Sequence, residues 1–196
     1  MPKVTRSKKV HVGLDLDGVV FDFVGNFTNY VRSIGKETGD TLKWNFYHEW
    51  GMSDSDFERI YANGIREKKI LYSGKPIEEC ASNLRRLRNS GCVFHVVTDR
   101  SVPGVVEQSH KSTRRWLKRN GIPYNTVTFT GNKTSVLPLD AFVEDNAKNA
   151  KALLDAGCKN VALMSRPWNE TFEDERWTRV KNWSEFETWL NGVVNR

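Results

Sequence analysis

Residues 10–20 read Val-His-Val-Gly-Leu-Asp-Leu-Asp-Gly-Val-Val, an apolar run that ends in Asp15-x-Asp17-Gly18 and turns apolar again. The run has the length of a buried strand, and Gly18 lets the backbone turn sharply where it ends. Residues two apart on an extended segment point the same way, so both carboxylates project to one side. In an open parallel sheet that place, beyond the carboxyl ends of the strands, is where ligands bind. Two close carboxylates repel, and one takes up a proton unless a cation compensates. A hard divalent ion with oxygen ligands, magnesium foremost, meets that need. A surface turn would also use Asp and Gly. A calcium loop requires a longer series of oxygen ligands ending in Glu, whereas here Val19, Val20 and Phe21 follow at once.

Further apolar runs of strand length lie at Cys92–Thr98, Thr126–Thr130, Ala141–Glu144 and Val161–Met164. Helical patterns alternate with them. Pro76 to Asn89 starts with a proline suited to a first turn, and Val105 to Arg119 and Asn146 to Ala156 each stop before a glycine. The alternation predicts an α/β fold: a parallel sheet of five strands with helices on both faces. Residues 25–73 break the pattern. They contain no strand signal, but Ser53-x-x-Asp56 precedes a helical run to Ile65. The expected division is a core of residues 1–24 and 74–196, with residues 25–73 inserted after the first strand as a helical cap over the strand ends.

The chain of 196 residues has a formal charge of +6, which suits an anionic substrate or nucleic acid without identifying either. Cys80, Cys92 and Cys158 are odd in number and widely spaced, so they read as small core residues in a reducing, cytoplasmic setting. No apolar stretch has the length of a membrane span. The basic start, with Lys3, Arg6, Lys8 and Lys9, lacks a following hydrophobic segment and reads as a solvated tail.

Three more chemistry-bearing groups stand at the ends of the apolar runs. Thr98-Asp99-Arg100 offers a hydroxyl and backbone N–H donors, which bind phosphate oxygens well. Lys133 follows the third run, and Glu144-Asp145 closes the fourth. Each alone has a plain structural use, as a helix cap or a solvated charge. Gly-Asn-Lys-Thr at 131–134 lacks the glycines that a phosphate-cradling P-loop requires. Together, an acid pair, a hydroxyl, a lysine and a second acid pair appear in order at one edge of one sheet.

With these four motifs the chain resembles the haloacid dehalogenase-like phosphohydrolases over nearly its whole length, and implies their Rossmann-like three-layer core. The resemblance implies that Asp15 is the nucleophile and Asp17 the acid, then the base. It implies that Thr98 holds phosphoryl oxygens and Lys133 offsets charge. Magnesium would be held by Asp15, the Asp17 carbonyl, Glu144 and Asp145. Asp-Gly-Val-Val-Phe-Asp-Phe at 17–23, Trp50-Gly-Met-Ser, Arg166-Pro-Trp-Asn and Arg179-Val-Lys-Asn-Trp are similar to the 5'(3')-deoxyribonucleotidase group. That likeness implies a phosphomonoesterase of nucleoside monophosphates. It places Phe23 against the base, with Trp44, Phe46, Tyr47 and Trp50 as cap candidates, and makes a homodimer a candidate assembly. Two positions depart from the mammalian type: Gly131 stands where those relatives have an arginine, and Thr98-Asp99-Arg100 replaces Thr-Ser-Pro. Asp99, which would lie beside the substrate, adds a carboxylate near a phosphate site, unfavourable unless Arg100 or another cation pairs with it.

Two other readings compete. A phosphatase of nucleic-acid 3' ends would use the basic run Lys111, Arg114, Arg115, Lys118 and Arg119 to track a phosphate backbone. A non-catalytic binding protein of the same fold would have no reason to keep Asp15, Asp17, Thr98, Lys133 and Asp145 together.

Overall fold

Every strand of the central sheet runs in the same direction. The computed structural model describes residues 9–194, and its strands are β1 (Val10–Leu14), β2 (Cys92–Thr98), β3 (Thr126–Phe129), β4 (Ala141–Glu144), β5 (Val161–Met164) and β6 (Trp177–Val180). Their spatial order is β3-β2-β1-β4-β5-β6. The helices are α1 (Phe23–Ser33), α2 (Phe46–Glu49), α3 (Asp54–Arg66), α4 (Cys80–Asn89), α5 (Val106–Arg119), α6 (Ala147–Asp155) and α7 (Trp183–Val194). Lys3, Arg6 and Lys8 of the basic start lie outside the described residues.

Strands β4 and β5 are buried along their whole length, as parallel strands covered on both faces must be. Alternate residues serve opposite faces. Ala141, Val143, Ala162 and Met164 join the apolar cluster that contains Leu84, Trp116 and Trp183, from α4, α5 and α7. Phe142, Val161 and Leu163 join the cluster that contains Ala150 and Leu153 of α6. This is the three-layer α/β/α arrangement expected from the alternation.

Two boundaries differ from expectation. The sheet has six strands rather than five. The sixth, Trp177-Thr-Arg-Val, is a short edge strand with one fully buried residue, and it follows Glu173, Asp174, Glu175 and Arg176, so its sequence reads as a surface loop. The helix expected from Pro76 begins at Cys80. Pro76 is held in an antiparallel bridge with Phe21, and Glu79 has φ +60°, which interrupts any helix before it.

Residues 25–73 carry α2, α3 and all of α1 but its first two residues, and no strand. Ser53 caps α3 as expected, its Oγ accepting from the Asp56 N–H at 3.1 Å. The segment leaves and returns at one place: the Asp22 N–H donates to Lys75 O at 3.0 Å, and the Ile77 N–H to Val20 O at 2.9 Å. Its aromatic interior is centred on Phe27, which packs on Phe57, Phe46 and Trp50 at centroid distances of 5.0, 6.0 and 6.2 Å. No described helix is long and apolar enough to cross a membrane. Cys80, Cys92 and Cys158 are all free and buried.

Candidate active site

The strand order reverses between β1 and β4, and the crevice beyond their carboxyl ends is the ligand position of an open α/β sheet. The Asp15 N–H donates to Val143 O at 3.0 Å, which sets Asp15 beside Glu144 and Asp145. After it the chain curls tightly, with the Val20 and Phe21 N–H groups donating to Leu16 O at 2.9 and 2.7 Å. Gly18 sits at φ +78°, and a Cβ there would fall 2.1 Å from Asp145 Oδ2. Only glycine allows that approach.

Lys133 opens a single turn of 3-10 helix after β3 and is buried. Its Nζ donates to Asp15 Oδ1 and, at 2.7 Å, to Glu144 Oε2. Glu144 Oε1 accepts from the Asn146 N–H at 3.0 Å. Asp145 Oδ2 accepts from Trp168 Nε1 at 3.1 Å, while its Oδ1 is buried without a partner. Asp15, Glu144 and Asp145 each present a carboxylate oxygen within 4.8 Å of the other two. Burial, and then Glu144, pushes the Asp15 carboxyl up to about 7, against the pull of Lys133. Burial, followed by Asp15 and Glu144, raises Asp145 well above the usual range. For Lys133 burial works the other way, but Asp15 and Glu144 outweigh it and hold the ammonium above the usual lysine range. Three hard oxygen donors, one of them orphaned, fit a divalent cation.

The Asp17 side chain is not part of this trio, although it lines the same cavity. Arg100, wholly buried, donates to it twice, from Nε at 2.9 Å and Nη2 at 2.5 Å, and its Nη1 donates to Thr113 Oγ1 at 2.9 Å. The cation expected as a partner for Asp99 is thus committed to Asp17. The Arg166 guanidinium holds the loop from outside, its Nε donating to Gly18 O at 2.6 Å. Asn169 Nδ2 donates to Asp145 O and Met164 O, both at 2.8 Å. The Arg166-Pro-Trp-Asn stretch therefore braces both acid pairs.

A cavity of about 370 Å³ opens above these groups. It is lined by Asp15, Asp17, Thr98, Asp99, Lys133, Glu144 and Asp145 on the sheet side. Phe23, Trp44, Phe46 and Tyr47 line it from the helical side, joined by Phe57 and Tyr61. Trp44 is 54% exposed and meets Trp168 edge to face at 6.4 Å. Phe46 is buried against Phe27 and Trp50. Trp50 does not line the cavity; its Nε1 donates to Asp40 O at 2.9 Å. Lys111, Arg114, Arg115, Lys118 and Arg119 are all exposed on α5, and none lines the cavity.

Residues 8–196 match the model of the family described as 5' nucleotidase, deoxy (pyrimidine), cytosolic type C protein. The chain belongs to this family. It is accordingly a phosphoric monoester hydrolase of the 5'-nucleotidase kind, as its motifs implied. A relative from Chlorobaculum tepidum, named "Putative 5'(3')-deoxyribonucleotidase", is 28% identical over 161 residues, covering 78% of each chain. Among solved structures, the D,D-heptose 1,7-bisphosphate phosphatase of B. bronchiseptica, complexed with magnesium and phosphate, has a TM-score of 0.54 at 13% identity. It covers 93% of this chain and 98% of its own. A haloacid dehalogenase-like family hydrolase of Xanthomonas campestris has a TM-score of 0.58 at 10% identity, covering 97% and 98%. At these identities the two structures show the shared fold.

Sequence reasoning did not single out Arg100 as a partner of Asp17, nor Phe57, Tyr61 and Trp168 as cavity residues of this nucleotidase. Phe57 and Tyr61 had a signal, since residues four apart on a helix share a face. Arg100 had none, because nothing in Asp99-Arg100 tells which acid the arginine will meet.

Proposed function

We propose that this enzyme hydrolyses nucleoside monophosphates, deoxyribonucleotides foremost, through an aspartyl-phosphate on Asp15. One observation carries the reading: a single cavity has the acid–lysine cluster as its floor and an aromatic wall opposite. Asp15 attacks phosphorus, and the ester oxygen leaves with a proton from Asp17. Asp17 then takes a proton from water, the water oxygen attacks the same phosphorus, and inorganic phosphate departs as Asp15 regains its carboxylate. Thr98 and the N–H groups beside it hold phosphoryl oxygens, and Lys133 offsets charge on the nucleophile. Arg100 fixes where Asp17 stands. Magnesium would be held by Asp15, Glu144, Asp145 and the Asp17 carbonyl, and would supply charge compensation between carboxylate and phosphate.

Residues 25–73 serve as the cap over the core of residues 1–24 and 74–196, and Phe23, Trp44, Phe46 and Tyr47 offer rings to the base. Base–ring stacking contributes about 1–3 kcal/mol per base. Three free, buried thiols suit a cytoplasmic setting. The basic residues of α5 are spent on a solvated face, with Arg114 over the Phe129 ring and Arg119 over Tyr72, which weighs against a nucleic-acid track.

The test is phosphate release with magnesium from 5'- and 3'-nucleoside monophosphates, a 3'-phosphorylated oligonucleotide and an aryl phosphate. Release from the nucleoside monophosphates is expected to be fastest. Release from the oligonucleotide alone would replace the nucleotidase with an end-processing phosphatase.

A further inference from the structure

The charge of the chain and the charge of its cavity have opposite signs. The formal charge is +6, yet five carboxylates, Asp15, Asp17, Asp99, Glu144 and Asp145, line the cavity against a single cation, Lys133. Four of the five have evident uses. Asp15, Glu144 and Asp145 form the trio with Lys133, and Asp17 is held by Arg100. Asp99 stands apart. It is exposed at the end of β2, and among the described residues its one hydrogen bond is from the Ser101 N–H, which donates to Oδ1 at 3.4 Å.

The neighbouring cations have other partners: Arg100 bonds Asp17 and Thr113, Lys133 bonds Asp15 and Glu144, and Arg166 bonds the carbonyls of Gly18 and Ser165, its Nη2 being buried without a partner. Gly131 lies directly against the Asp99 carboxylate, and a Cβ there would come within 2.9 Å of Asp99 Oδ2. The position thus offers neither a side chain nor a charge to neutralise Asp99. Its negative charge, immediately after Thr98, is directed into the substrate space.

We infer that Asp99 is a specificity-determining carboxylate that admits substrates carrying one phosphoryl group and a neutral, hydroxyl-bearing remainder, and excludes those carrying a second phosphate. The inference rests on the nucleotidase reading and narrows it. A free sugar hydroxyl can donate to Asp99, whereas a phosphate there meets like charge. Nucleoside bisphosphates and phosphorylated oligonucleotide ends fall in the excluded class.

The experiment compares kcat/KM for a deoxynucleoside 5'-monophosphate and the matching 3',5'-bisphosphate, in the wild type and Asp99→Asn. Asparagine keeps the size and removes the charge, and thermal melting confirms folding. The wild type is expected to prefer the monophosphate at least tenfold, and Asp99→Asn to reduce that ratio to within about threefold, as expected for removal of one close like-charge contact. The wild-type preference should also shrink between 0.05 and 0.5 M salt, because surface-accessible charge is screened over about 10 Å at 0.1 M. A ratio that the substitution leaves unchanged, or a wild type that takes both substrates equally, overturns the inference. A parallel pair, ribose 5-phosphate and ribose 1,5-bisphosphate, separates the two claims. Discrimination by Asp99 in the sugar pair with no turnover of nucleotides would overturn the nucleotidase reading and uphold the charge rule. Release from none of the four substrates would reject both.

Discussion

The two walls of the cavity are built on different principles. On the sheet side each ionised group except Asp99 is pinned: Lys133, Asp15, Glu144, Asp145 and Arg100 are all buried, and each is bonded to at least one other group. On the helical side the rings range from buried Phe46 to Trp44, which is half in solvent. On the first wall, removing the sole partner of a buried charge leaves that charge uncompensated in an apolar interior. On the second wall an exposed ring such as Trp44 can be exchanged at little cost to folding, whereas the buried Phe46 cannot. This division suits an enzyme whose chemistry is fixed while its substrate choice is adjustable.

The largest expected effects are on the sheet wall, and there the two acids should part company. Asp15→Asn should lower kcat by at least about 10⁴-fold, as loss of a covalent nucleophile does. It should also raise the melting temperature of the metal-free protein at pH 8, because it removes one of three crowded carboxylates. Asp17→Asn should likewise abolish turnover but destabilise the fold by about 3–5 kcal/mol, since it leaves the buried Arg100 without a counter-ion. Equal melting behaviour of the two variants would contradict the charge assignments described here. Gly18→Ala comes next: its Cβ would displace the Asp145 carboxylate, and its φ of +78° is strained for alanine. We expect about 1–3 kcal/mol of lost stability from the backbone alone, read by denaturant titration, together with weakened magnesium binding.

The helical wall should answer differently. Trp44→Ala should raise KM about tenfold, one stacking contact's worth, and leave the melting temperature unchanged. Phe46→Ala should lower stability by about 3–5 kcal/mol through cavity formation. If Trp44 proves structural and Phe46 silent, the assignment of exposed and buried rings within this wall is reversed.

The smallest effect is a pH dependence. The folded Asp15 carboxyl titrates at about 7, above its ordinary value. The folded protein therefore binds more protons than the unfolded one between roughly pH 4 and 7, and metal-free stability falls as pH rises through that window. Magnesium favours the ionised form, so its gain in melting temperature should be larger at pH 8 than at pH 5.5. An equal gain at both would exclude Asp15 as a ligand.

Much of this arrangement was legible in the sequence, for identifiable reasons. Buried parallel strands are apolar, so Val161–Met164 was found with its observed bounds, as was Val10–Leu14, whose last three residues are buried although His11 is exposed. Helix ends announced by glycine were placed within a residue or two. The edge strand β6 was missed because Trp177-Thr-Arg-Val has two polar residues at its centre, is largely unburied and follows a charged loop. Pro76 misled because proline suits both a helical first turn and an edge pairing, and only the return of the chain against Phe21 decides between them. For the site, the strand-end groups were visible since each sits beside an apolar run. The pairing of Arg100 with Asp17, 83 residues apart, depends on how two loops meet in space.

The backbone pairing of Phe21 with Pro76 has a consequence for how this chain is partitioned. Two strands held as an antiparallel bridge lie about 5 Å apart, a gap that a two-residue turn can span. The covalent path through the catalytic floor therefore does not depend on the fifty or so intervening residues. What binds that segment in place is the apolar surface it shares with the core, where Phe21, Phe27 and Trp116 belong to one continuous cluster. The aromatic wall of the cavity is, in mechanical terms, a graft secured by one seam and a greased face.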